Sequence, residues 1–203
     1  VQIMSFPEAA TPPQLRAQVL DLQREAWPPA EPVDPAAAAS GDAAGPAPDH
    51  VHDPALEPLS MLLVADGTVL AALDVLAKPI VHAGRRYRVG GLSTVVTRQA
   101  VRGQGHGRRL VAAAHEAMRA SDLDLGVFTC DRPLQAFYES AGWQHLPGTV
   151  LIGGTPQRPF PSDRPGFDKV TMADFFTDRA RHDRPAFRHA RIELYPGDID
   201  KLW

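Results

Sequence analysis

Leu15, Val19, Leu22 and Trp27 recur at helical spacing through "QLRAQVLDLQREAW", a pattern that predicts one amphipathic helix. Thr11 reads as its cap, Pro12 and Pro13 fit its first turn, and Pro28 and Pro29 end it. Ahead of it, "VQIMSF" is a short apolar run of strand length. "LSMLLVADGTVLAALDVLAK" predicts two strands joined by a tight turn at Asp66-Gly67. "HAGRRYRVGGLSTVVT" adds a turn and a strand from about Arg88 to Thr97. A glycine loop then runs into an alanine-rich helix from Gly107 to Ser121, and "LDLGVFTC" follows as a buried strand. "RPLQAFYESAG" predicts a short helix opened by Asp131 and Pro133 and closed by Gly142. "GTVLIGG" reads as a strand, 156–166 as a proline-rich loop, Thr171 to about Arg181 as a helix, and "FRHARIELY" as the last strand. No internal repeat interrupts this mixed α/β (α+β) order.

Residues 28–58 break the pattern. They are dense in Pro, Ala, Gly and Asp and almost devoid of large apolar side chains. Such a segment buries too little surface to offset its ordering entropy, so it predicts a flexible insertion, of a kind often found over binding sites. The rest, within 1–203, reads as a single domain with 44% hydrophobic residues. A net charge of -3 argues against a nucleic-acid-coating protein. One cysteine, Cys130, leaves no internal disulfide and no multi-cysteine zinc site. No stretch is long and apolar enough to span a membrane, and "VQIMSFPEAATPPQ" lacks the regions of a signal peptide. The expected location is cytoplasmic. The expected partners are a small-molecule amine and a second copy of the chain, without nucleic acid or membrane.

The chemistry concentrates in "AVRGQGHGRRLVAAAHEAM", where Gly103, Gly105 and Gly107 alternate at the mouth of a helix among Arg102, Arg108 and Arg109. A helix N-terminus has unpaired N–H groups and partial positive charge, and glycines let that backbone approach a diphosphate closely. The loop ends Gly-Arg-Arg instead of Gly-Lys-Ser/Thr, which excludes a P-loop, and GxGxG in mid-chain is not the Rossmann fingerprint. Three alternating glycines are also an expensive way to cap a helix.

These residues resemble the GNAT superfamily of acetyl-CoA-dependent N-acetyltransferases. Arg102-Gly103-Gln104-Gly105-His106-Gly107 matches its Arg/Gln-x-x-Gly-x-Gly/Ala signature, and "RPLQAFYESAGW" resembles its Ala-x-x-x-Tyr-x-x-x-Gly-Phe/Trp helix. The resemblance extends over roughly residues 58–203. It implies a GNAT-like fold: a twisted, mostly antiparallel sheet with a splayed strand pair and flanking helices. It also implies acetyl-CoA as cosubstrate. Val95, Val96 and Thr97 would line the pantetheine arm, and Arg102, Gly103, Gln104, Gly105, His106, Gly107 and Arg108 would hold the diphosphate. The Val95 N–H would stabilise the acetyl oxygen and Tyr138 would protonate the leaving sulfur. Asp131 stands where the family often has a coenzyme-contacting asparagine.

Amine attack on a thioester also needs a neutral amine. The chain is similar, more weakly, to the aminoglycoside 2'-N-acetyltransferases, which carry a glutamate at the position of Ser93. A serine cannot take that proton unaided, so Asp74, His82, Asp53 and Glu57 are the alternatives, or the amine binds neutral. Asp74 reads as exposed on an alternating strand. Cys130 would permit an acetyl-cysteine route, but no partner base marks it, and direct transfer in a ternary complex is preferred. In "DHVHDPALE", Asp49, His50, His52, Asp53 and Glu57 read as a solvated acidic rim, with no metal bound. Trp203, Asp198 and Asp200 in "YPGDIDKLW" would either face a polyamine or pack. The expected reaction is acetylation of a primary amine on a small cationic metabolite, an aminoglycoside among the candidates. The alternatives are a protein N-terminus or lysine as acceptor, or a non-catalytic coenzyme A sensor.

Overall fold

The computed structural model describes residues 1–28 and 51–203. Most of the stretch read as a flexible insertion, including Asp49 and His50, lies outside the described residues. In chain order the elements are β1 (Gln2–Pro7), α1 (Pro13–Ala26), β2 (Leu59–Ala65), β3 (Thr68–His82) and β4 (Arg85–Thr97). Next come α2 (His106–Arg119), β5 (Leu125–Asp131), α3 (Gln135–Glu139), β6 (Gln144–His145) and β7 (Val150–Gly154). The last are β8 (Pro159–Pro161), β9 (Lys169–Phe175), α4 (Asp178–Asp183) and β10 (Arg191–Glu193).

Seven strands form one sheet in the order β1-β2-β3-β4-β5-β9-β6, antiparallel except for the β4–β5 pair. Two tight hairpins set its register. Asp66-Gly67 and Ala83-Gly84 each place two residues at positive φ, as the turns that match strand twist require. Alternation along β2 and β3 then divides the core. Leu62, Val64, Val69 and Ala72 pack with Leu22 of α1 on one face. Leu63, Ala71 and Leu73 pack with Leu110, Val111, Ala114 and Met118 of α2 on the other. Each large side chain so buried contributes about 1.5–3 kcal/mol.

The parallel pair is short. β4 and β5 pair only at Val89–Leu125 and Gly90–Gly126 and then part. Trp203 fills the start of the gap: its indole N–H donates to the Val127 carbonyl at 2.9 Å. A Cβ at Gly91 would stand 2.1 Å from that ring, so only glycine admits it. The Trp203 main-chain oxygen accepts from the Thr129 amide at 3.0 Å and its hydroxyl at 3.2 Å. A second sheet, ordered β10-β7-β8, supports this segment from behind, with the Gly154 amide donating to the Lys201 carbonyl at 2.7 Å.

Several expectations need correction. The helix expected from Thr171 is β9, paired with β5 from Asp131–Lys169 to Leu125–Phe175. The helix is confined to α4, capped by the Thr177 hydroxyl, which accepts from the Ala180 amide. β9 lies between two strands with Val170 to Ala173 all buried, so its sequence shows no alternation. "FRHARIELY" yields only the short β10, because Arg184–Phe187 forms a 3-10 turn and His189 sits at φ 52. The proline-rich loop contains β8. Thr11 does not cap α1; Pro12 holds that position and the Thr11 hydroxyl is buried with no partner among the described residues. Asp131 makes no side-chain cap either. Residues 51–58, read as part of the insertion, include buried His52 and Leu56. No described helix is long and apolar enough to cross a membrane.

Candidate active site

The site begins at a break in the β3–β4 ladder. Asp74 pairs with Ser93 and Ala72 with Val96, so Thr94 and Val95 together stand opposite Leu73. Such a bulge leaves a strand residue outside the ladder and re-aims its neighbours. Thr94 takes φ 49, a conformation a β-branched residue rarely adopts. Its hydroxyl donates to Asp74 Oδ2 at 2.5 Å, a charge-assisted bond that offsets the strain.

Asp74 is buried, not exposed as its strand alternation suggested, because both faces of β3 are covered. It also accepts from the Ser60 hydroxyl at 2.5 Å, and His52 Nε2 lies 3.2 Å from its Oδ2 in an ion pair short of hydrogen-bond geometry. His52 Nδ1 bonds Asp200 Oδ1 at 2.5 Å, and the Asp53 amide donates to Asp200 Oδ2 at 2.9 Å. Glu8 receives the amides of Val51 and His52. Burial would lower the His52 pKa, but the bond to Asp200 and the contacts with Asp74 outweigh it and raise the value to about 10. His52 is therefore a buried imidazolium between two carboxylates, not a solvated histidine. Among the described residues, no cluster of histidine, cysteine and acids has the arrangement of a metal site.

Two clefts meet beside the bulge. The first, of about 590 Å³, runs from Val95, Val96 and Thr97 to the mouth of α2. The second, of about 570 Å³, holds His52, Ser93, Thr94, Cys130 and Asp200. Trp27, Val95, Leu134 and Tyr138 border both. Tyr138 is buried against Phe128 and Phe137, and no described group hydrogen-bonds its hydroxyl. Burial, then the nearby Cys130 and Asp131, raises its pKa above the usual phenol value, so it keeps its proton. Cys130 borders the second cleft, and burial pushes its thiol up to about 11. A thiol so held is a poor nucleophile.

At the mouth of α2, Gly103 and Gly105 take φ 79 and 81. Gly105 is the N-cap and offers no side chain, so the first amides of α2 have no cap partner. Those of Gly103 to Arg108 donate to no described acceptor. Arg102, Gly103, Gly105, His106, Gly107 and Arg108 border the first cleft, whereas Gln104 is exposed outside its lining. Arg102 Nε donates to the Thr97 carbonyl at 3.1 Å. Gly107 serves packing: a Cβ there would stand 2.6 Å from Thr97 Oγ1. Unpaired amides, open glycines and two arginines fit a diphosphate.

The proposed bases scatter. His82 Nε2 contacts the Ala186 carbonyl at 2.8 Å, and Glu57 pairs with Arg88 at 2.6 Å, both away from the clefts. Asp53 Oδ1 caps the turn at Ala55. Asp131, which stands in the coenzyme-contact position, faces Lys169 at 2.8 Å. Sequence reasoning named Asp74, His52 and Asp200 singly but not as one network, and it missed Glu8, Ser60 and Thr94. One acid within the apolar run "LAALDVLA" was the available signal.

An acyl-CoA N-acyltransferase from Pseudomonas aeruginosa superposes with TM-score 0.51 at 21% identity, covering 85% of this chain and 97% of that one. Escherichia coli ElaA gives 0.52 at 15%, covering 85% and 97%. An aminoglycoside 6'-acetyltransferase type Ii gives 0.56 at 18%, covering 88% and 99%. At these identities the likeness is one of fold. No curated protein matches the sequence. The acetyltransferase (GNAT) family model matches residues 16–143, more than half of the chain. The chain belongs to this family and is an acetyl-CoA-dependent N-acetyltransferase.

Proposed function

We propose that the chain transfers an acetyl group from acetyl-CoA directly to the primary amine of a small molecule, cationic in water, within a ternary complex. The observation that carries this reading is the meeting of the two clefts at Val95 and Tyr138. The amides from Gly103 to Arg108, with Arg102 and Arg108, hold the diphosphate. Val95 to Thr97 line the pantetheine arm. The bound cosubstrate supplies a thioester-activated acetyl group. The Val95 N–H stabilises charge on the acetyl oxygen, being fixed in place by the bulge before reaction. Tyr138, protonated and without a partner among the described residues, donates to the departing sulfur. The raised Cys130 pKa disfavours a covalent detour.

Tyr138→Phe tests the reading. Thiol release should fall about 100-fold, as loss of a general acid does, while coenzyme affinity stays nearly unchanged. Turnover equal to the wild type would remove Tyr138 from the chemistry.

A further inference from the structure

Exposed apolar side chains gather at the second cleft. Among the described residues, seven large hydrophobic side chains are exposed, and five of them (Trp27, Val51, Leu134, Phe167 and Ile199) border the two clefts. Exposed apolar side chains gathered in one place mark a binding surface, whereas scattered ones carry no meaning. Their wall is built in advance. Phe160 and Phe167 meet edge to face at 5.4 Å, and the Arg164 guanidinium lies 4.5 Å over the Phe160 ring. The Phe167 amide donates to the Arg164 carbonyl at 3.0 Å. Leu92, Leu202 and Trp203 continue the lining inward.

Among the described residues, the charges there leave no acidic surplus. Asp131 and Asp200 are the carboxylates that border the cleft, and Lys169, Lys201 and His52 the cationic groups. Asp131 faces Lys169 at 2.8 Å, and Asp200 is engaged by His52 and the Asp53 amide. Asp74, behind His52, only balances the sum. Among the described residues, a molecule with several ammonium groups would find no unpaired carboxylate in this lining, while a single amine on an apolar body would find aromatic and aliphatic walls. Phe160, Phe167, Ile199 and Trp203 all lie outside the family-matched residues 16–143.

We propose that the acceptor is a small monoamine with an aromatic or branched aliphatic body, which packs against Trp27, Leu134, Phe160, Phe167 and Ile199 while its nitrogen reaches the Val95–Tyr138 junction. This rests on the transfer reading above. The amine nitrogen forms a bond to the acetyl carbon, the carbon–sulfur bond breaks, the amine loses a proton to solvent, the thiolate gains one from Tyr138, and Tyr138 takes one back from solvent. The products are an N-alkylacetamide and free coenzyme A. Polyamines and aminoglycosides are poor acceptors on this account.

Thiol release from acetyl-CoA decides it, measured with 2-phenylethylamine, 3-methylbutylamine, ethylamine, spermidine and kanamycin at equal concentrations of neutral amine. The first two should exceed the other three in kcat/KM by about tenfold or more, the factor supplied by burying such a side chain. A Phe167→Ala, Ile199→Ala double variant should narrow the ratio of 2-phenylethylamine to ethylamine to within about threefold. Spermidine or kanamycin matching 2-phenylethylamine, or an unchanged ratio in the double variant, overturns the proposal. Calorimetric titration of 2-phenylethylamine into the coenzyme A complex separates the two readings. Binding without release from any amine keeps the apolar-amine site and sinks the transfer reading; neither binding nor release sinks the site as well.

Discussion

His52 is the residue on which the acceptor side is assembled. Its ring holds Asp74, which fixes the Thr94 bulge, and Asp200, which fixes the segment leading to Trp203. Removing it would leave two buried carboxylates without their cation. His52→Ala should therefore lower stability by about 3–5 kcal/mol in a denaturant titration. Its pKa rises on folding from 6.5 to about 10. The stabilisation it brings is then complete below pH 6.5 and is lost as pH climbs through 10. Unfolding midpoints measured across that window should fall with pH in the wild type and fall less in His52→Ala. Equal slopes would mean that the ring is not held as a cation.

At the scale of elements, the mouth of α2 carries the coenzyme side. Gly105→Ala forces alanine into φ 81, a strain of about 1–2 kcal/mol, with no atom near enough to add a clash. The loop would relax by re-aiming its amides, so coenzyme A affinity should drop about tenfold in a calorimetric titration. An unchanged affinity would show that those amides do not bear on the diphosphate. This loop was legible because its glycines, helix and flanking arginines are contiguous. So were the hairpins, since Asp66-Gly67 and the Ala83-Gly84 turn announce themselves locally. β9 was not, because a strand covered on both faces loses the alternation that marks a strand. The bulge was implied by the family resemblance but by no local pattern, since a threonine at positive φ breaks the rule by which such positions are read. The His52–Asp200 bond spans 148 residues of sequence, and no local pattern records it.

Across the whole molecule, one segment ties the two sheets to the split between β4 and β5. Trp203 enters that split, Lys201 bonds to β7, and Asp200 reaches His52. Trp203→Ala should cost about 3–5 kcal/mol of stability by calorimetric melting, because a buried ring leaves a cavity that strands cannot easily close. It should also weaken amine turnover more than coenzyme binding, because Trp203 borders the acceptor cleft and not the coenzyme cleft. The central claim is that a thioester held in the first cleft presents its acetyl group to the second at the bulge. A crystal structure of the coenzyme A complex tests it most directly. The diphosphate should lie on the amides from Gly103 to Arg108, with the sulfur about 3–3.5 Å from the Tyr138 hydroxyl. A coenzyme bound elsewhere, or a sulfur remote from both Val95 and Tyr138, would contradict it.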